Sequence, residues 1–250
     1  MSPEQILQWL VTAGADETIG DSPVNRLLAE EKQENTETKQ IYFQPPVPET
    51  NPLSDIKTEM LAKDAASLEQ LKEIIAGFDG CPLKTTATNM VFGSGNPQAR
   101  LMIIGEAPGA EEDRQGLPFV GASGRLLDLM LASIGLNRTD VYITNVLPWR
   151  PPGNRKPSEA EISLFTPFVR RHIELVNPKV LLLLGGSSLS ALMNVHTGIT
   201  KARGHWLTYT DANREIDVMP SFHPAFLLRT PAQKKLAWRD LLTVKMRLGL

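Results

Sequence analysis

Cysteine is almost missing. Cys81 is the only one in 250 residues, which excludes an intrachain disulfide and any thiolate-rich metal site built from this chain alone. The four histidines (His172, His196, His205, His223) show no HxxxH or HxH spacing, so zinc is not expected and the sequence predicts chemistry without a metal. No apolar run reaches the roughly 20 residues that cross a bilayer. The segment Met1 to Gln8 lacks the basic-then-apolar order of a signal peptide. The expectation is therefore a cytoplasmic protein with no membrane partner. A GxGxxG fingerprint is also missing. In "GEAPGAEEDRQG" Pro108 removes an amide donor, and Glu106, Glu111, Glu112 and Asp113 would repel a pyrophosphate. A nucleotide cofactor is disfavoured.

What is present has the balance of an ordinary globular chain, with 42% hydrophobic and 22% charged residues. Charge is unevenly spread. Residues 1–80 hold 6 Lys/Arg against 15 Asp/Glu, a net of −9, whereas residues 81–250 hold 20 against 13, a net of +7. The basic part suits a polyanion if its charges share a face.

The N-terminal part reads as helices over Pro3 to Ala13 and Val24 to Glu31, followed by a polar, proline-rich linker that buries too little apolar surface to fold alone. Residues 1–55 are thus expected to form an acidic extension, a candidate to bind another protein, and residues 56–250 the folded domain. A helix from Ser54 or Asp55 to Phe78 carries Leu61, Ala65, Leu68, Leu71 and Ile75 at helical spacing. Beyond it, "ARLMIIGEAPG", "DVYITNVLPWR", "PKVLLLLGGSSL" and "REIDVMPSFHPA" are short β-rich runs ending in turns. Helical patterns lie between them at Gly121 to Ile134, Ser158 to Val176, Ser187 to Met193 and Pro231 to Met246. That alternation predicts an α/β fold of three layers, α/β/α, around a mainly parallel central sheet. In such sheets the strand carboxyl ends carry the site. Ser158 followed by Glu161 is a capping box that starts its helix.

Each strand-end loop holds residues with chemical use. The four carboxylates of residues 105–113 suit activation of water or stabilisation of positive charge, or form a solvated acidic loop. Phe119 belongs either to a cavity wall or to the core. Asn145 closes "VYITN"; its carboxamide donates and accepts, as reading a base edge requires, or it caps a turn. His223, held by Pro224, suits an anion or is a satisfied structural histidine, and the apolar Phe226, Leu227 and Leu228 precede Arg229.

Together, "GEAPG..ED" (105–113), "G.PFVG.SG.LL" (116–127), "TN.....PP.NR.P...E" (144–161), "LLLLGG" (181–186), "ITKARG.W" (199–206) and "HPA.LLR" (223–229) resemble the family 4 uracil-DNA glycosylases of the uracil-DNA glycosylase superfamily. The resemblance spans about Phe78 to Leu242. It implies an enzyme, a monomer, that flips uracil out of DNA and hydrolyses its N-glycosidic bond, leaving an abasic site for base excision repair. It implies Phe119 as stacking platform, Asn145 on the Watson–Crick edge, Ala107 beside the substrate, and His223 at a uracil carbonyl. Glu106, with Glu112 second, would orient the attacking water. Leu227 or Leu228 would wedge the stack, with Pro224 beside them, and Arg155, Arg203 and Arg229 would lie near phosphates.

The resembled family typically binds a [4Fe–4S] cluster through four cysteines. The corresponding residues here are Phe78, Cys81, Trp149 and Phe165. One thiolate cannot hold that cluster, so no cofactor is expected, and an apolar plug joining Phe78, Trp149 and Phe165 is expected in its place. The competing expectation, motivated by the lost ligands and the acidic extension, is a catalytically weak DNA-binding repair protein that retains the fold.

Overall fold

The computed structural model describes residues 52–193, 197–211 and 214–250. The expected helices at 3–13 and 24–31, the linker, and almost all of the 1–55 extension lie outside the described residues.

The helix expected from Ser54 to Phe78 is two helices, α1 (Pro52–Asp64) and α2 (Leu68–Gly77). Ser67 breaks it: its hydroxyl accepts from the Gln70 amide at 3.2 Å, while the Gln70 side chain accepts from the Ala66 amide at 2.7 Å. A reciprocal cap of this kind satisfies two donors that a continuous helix would have used internally. After the short α3 (Leu83–Thr86) come β1 (Ser94–Gly95), β2 (Leu101–Gly105), α4 (Ala110–Gln115), α5 (Ala122–Ala132) and β3 (Tyr142–Asn145). The chain continues through α6 (Glu159–Val176), β4 (Val180–Leu184), α7 (Gly186–Leu192), α8 (Ile199–Ala202), β5 (Leu207–Thr210), β6 (Glu215–Ser221), α9 (Pro224–Arg229) and α10 (Lys234–Leu248). Ser158 caps α6 in the expected box, with Glu161 returning to the Ser158 amide at 2.8 Å.

The sheet runs β1-β3-β2-β4-β6-β5. Its four inner strands are parallel, and β1 and β5 add antiparallel edges that the apolar pattern did not reveal. Alternate residues of the central strands face opposite layers. Met102, Ile104, Leu181, Leu183 and Val218 pack with α1, α2, α6 and α7. Leu101, Ile103, Val180, Leu182 and Met219 pack with α5, α9 and α10. Both faces of β2 and β4 are therefore covered, which is why these strands read as unbroken apolar runs. The three-layer α/β/α expectation holds.

The parallel core places every strand-end loop at one edge. Two of those loops are more ordered than the sequence suggested. Residues 110–115 form α4, and "HPAFLLR" is the helix α9, entered through Pro224 at its first position, where the absent amide hydrogen costs nothing.

Candidate active site at the strand carboxyl ends

A cavity of about 170 Å³ opens where β2, β3 and β6 end, and Glu106, Phe119, Asn145 and His223 line it together with Ala107 and Glu112. It is small beside the roughly 300–1,000 Å³ of drug-sized sites, a volume for one small ring. A larger cavity, about 670 Å³, lies between α1, α6 and β5 and contains none of these residues.

Phe119 is buried and adopts φ 54°, a left-handed backbone that a bulky side chain rarely takes. The neighbouring groups hold it there. Glu112 accepts hydrogen bonds from Gly109 N at 3.1 Å and from Val120 N and Gly121 N at 2.9 Å each. Arg138, paired with Asp128 at 2.6 Å, donates to the carbonyls of Pro118 and Phe119. Gly105 completes the cradle. A Cβ there would meet Asn145 Oδ1 at 2.4 Å and Phe119 Cζ at 2.6 Å, so glycine is what lets ring and carboxamide converge.

Asn145 is 6% exposed, and its Oδ1 is buried with no hydrogen-bond partner among the described residues. An orphaned acceptor of this kind costs about 1–3 kcal/mol unless a donor arrives from outside. The ring of His223 stacks on Phe119, centroids 5.4 Å apart at 30°. Its Nδ1 accepts from Ala225 N at 3.1 Å, capping α9, which assigns the proton of the neutral ring to Nε2. Burial, aided by Arg229, lowers its pKa to about 4, with Glu112 opposing. At neutral pH His223 is an uncharged donor.

The acidic loop divides its labour. Glu111 pairs with Arg114 at 2.5 Å. Asp113 accepts from Thr88 N at 2.8 Å and Asn89 N at 3.1 Å. Glu112, the second choice for orienting water, spends both oxygens on backbone amides, so its place is structural. Glu106 remains half-buried at the cavity, accepting from Ser187 Oγ at 2.6 Å. Ser187 went unnoticed in the sequence as a site residue; its position directly after a strand end was the available signal.

The residues assigned to DNA separate. Leu227 is 1% exposed and belongs to the core, whereas Leu228 is 42% exposed, so only Leu228 can reach a partner. Pro224 is buried at the start of α9 and Arg229 is exposed at its end. Arg203 is committed to the buried Asp240 and to Leu236 O at 3.0 Å, which removes it from phosphate contact. Arg155 stays exposed at the cavity rim in a two-pronged pair with Glu161, at 2.6 and 2.9 Å. Behind the site, Trp149 is 3% exposed and meets the ring of Phe165 edge-on at 5.5 Å, and Phe78 meets Phe165 at 6.1 Å and Phe168 at 5.6 Å. Cys81 is buried in the same core, which raises its pKa. Among the described residues no group of three His, Cys, Asp or Glu could hold a metal ion, and no helix is long and apolar enough to cross a membrane.

Residues 92–242 match the model of the uracil DNA glycosylase superfamily. The chain is 42% identical over 179 residues to a type-4 uracil-DNA glycosylase of Sulfurisphaera tokodaii, covering 70% of this chain and 81% of that one. It is 40% identical to type-4 uracil-DNA glycosylases of Thermotoga maritima (65% and 83% covered) and of Archaeoglobus fulgidus (66% and 85% covered).

Proposed function

The chain belongs to the uracil DNA glycosylase superfamily, and from that premise we propose that it excises uracil from DNA by hydrolysing the N-glycosidic bond, leaving an abasic site for repair. The observation that carries this reading is the unpaired Asn145 Oδ1 beside the Phe119 and His223 rings. Uracil, flipped from the stack, offers an N3–H to that oxygen. Cytosine has a lone pair at the same position, and two acceptors facing each other in a buried site are penalised by several kcal/mol at most, about 1–3 for the unmet group alone.

Phe119 supplies a face for the pyrimidine, and His223 Nε2–H donates to a uracil carbonyl. As the C1′–N1 bond breaks, its electron pair moves onto the base, and the carbonyl oxygen gains charge that the histidine hydrogen bond stabilises. A neutral histidine suits this role because it gives no proton away in the ground state. The sugar is left electron-poor. Glu106 opposes that charge and orients a water, which adds its oxygen to C1′; one water proton passes to the carboxylate and on to solvent, and the departing base takes a proton from solvent in return. Leu228, at the exposed edge of α9, fills the gap left in the duplex, and Arg155 and Arg229 lie towards the phosphates.

The iron–sulfur cluster of the resembled family does not fit these residues. Where four thiolates would be needed, the donor set is one thiol among three aromatic side chains, with Phe78 and Trp149 each meeting the ring of Phe165 edge-on. We assign the space to an aromatic plug, and no catalytic step depends on a cluster. One chain carries every group of the cavity, which supports a monomer.

The test is excision from uracil-containing single- and double-stranded oligonucleotides, read as alkali-labile abasic sites. Asn145→Ala and His223→Ala should each lose about tenfold to a hundredfold in rate. A wild-type protein that binds the DNA and yields no abasic site would overturn the proposal in favour of a non-catalytic repair protein.

A further inference from the structure

Strands β2 and β4 are parallel neighbours in register, Ile104 opposite Leu183. The residues that follow them therefore emerge side by side at the sheet edge. Glu106 follows β2. After β4, Gly185 turns the chain at φ 97° and Ser187 stands in the first turn of α7. Its hydroxyl, 3% exposed, donates to Glu106 Oε2 at 2.6 Å. That length lies within the ~2.5–2.7 Å range of a hydroxyl bound to a carboxylate. Among the described residues no protein group donates to the other oxygen of Glu106, and Glu106 lines the cavity.

We infer that Ser187 is a positioning residue for the glycosylase reaction: it pins one oxygen of Glu106 so that the other meets the attacking water in a fixed orientation. The inference rests on the reading of Glu106 as the water-orienting carboxylate. A glutamate has three rotatable bonds and sits at the mouth of a loop; without an anchor it samples rotamers that leave the water unoriented, and misplacement by about 1 Å can cost a hundredfold. Ser187 itself is not among the residues that line the candidate site. It lines a separate cavity of about 280 Å³ between α7 and the start of α6.

Excision is measured under single turnover, with KM from multiple turnover, for Ser187→Ala, Ser187→Cys, Ser187→Thr, Glu106→Gln and the Glu106→Gln/Ser187→Ala double variant. Cysteine keeps the volume but is a weak donor; threonine keeps the hydroxyl. The expected result is a rate lowered about tenfold or more in the alanine and cysteine variants with KM unchanged, restored by threonine, and no further loss when Ser187→Ala is added to Glu106→Gln. Unchanged rates in the alanine and cysteine variants, with Glu106→Gln impaired, overturn the role of Ser187 alone. A full additional loss in the double variant overturns it too, because the serine would then act independently of the carboxylate. Wild-type activity in Glu106→Gln overturns the reading of Glu106 and the role of Ser187 with it.

Discussion

The imidazole of His223 lies over the ring of Phe119 at 5.4 Å and 30°, with each residue held by groups from a different segment. His223 is fixed from below by its cap on Ala225 N, and Phe119 by Glu112 and Arg138 through the backbone around it. The pair makes one wall of the cavity, and every group that holds it belongs to the chain itself, so the wall needs no substrate to form. Such preorganisation is where a hydrolase gains most of its electrostatic advantage.

Gly105→Ala tests that wall. The added Cβ would sit 2.4 Å from Asn145 Oδ1 and 2.6 Å from Phe119 Cζ, so one of them must shift. Overpacking costs typically 1–3 kcal/mol. Uracil excision should fall about tenfold or more, with the protein still folded by circular dichroism. Full activity would show that ring and carboxamide need not converge.

His172 and His223 set the acid side of the stability curve. Burial lowers the pKa of His223 to about 4 and that of His172, bonded to Tyr142 Oη at 2.8 Å, to about 3, both from 6.5. Below pH 6.5 the unfolded chain takes up protons that the folded chain refuses, so stability is full above that pH and declines as pH falls towards 4 and then 3. Urea denaturation at pH 7 and pH 5 should give the lower midpoint at pH 5, and His172→Phe should reduce the difference. The excision rate should not show a histidine ionisation near 6.5. A fall centred there would contradict a neutral His223.

Trp149→Ala removes the indole that meets Phe165. Large-to-small changes at buried aromatics cost about 3–5 kcal/mol, so the melting temperature should drop and the 148–157 loop should become more susceptible to protease. Wild-type protein should carry no stoichiometric iron by elemental analysis and should refold in the presence of a chelator. An unchanged melting temperature, or bound iron, would refute the plug.

Leu227 and Leu228 are adjacent and predict opposite phenotypes. Leu227→Ala opens the core and should destabilise by about 2–5 kcal/mol. Leu228→Ala should leave stability within about 0.5 kcal/mol. It should, however, slow excision from double-stranded DNA more than from single-stranded DNA, where there is no stack to part. Equal effects on both substrates would argue against a wedge.

The sequence by itself determined the four central strands, the capped start of α6 and the set of strand-end loops. Apolar runs such as "VLLLL" and the Ser158–Glu161 box are local signals whose energetics involve neighbours in the chain. Motif order also marked Glu106, Phe119, Asn145 and His223, which the sheet edge brings to one cavity. Only the tertiary structure decided what each charged or apolar side chain touches. Arg203 looked free for phosphate until Asp240, 37 residues on, took its guanidinium. Glu112 reads as a second carboxylate for orienting the water until the turn at Val120 and Gly121 claims it. Leu227 and Leu228 differ only through the α9 helix that turns one inward, and Ser187 reaches Glu106 across 81 residues because β2 and β4 are neighbours. Partners of this kind are chosen by sheet order and strand register, which no local pattern encodes.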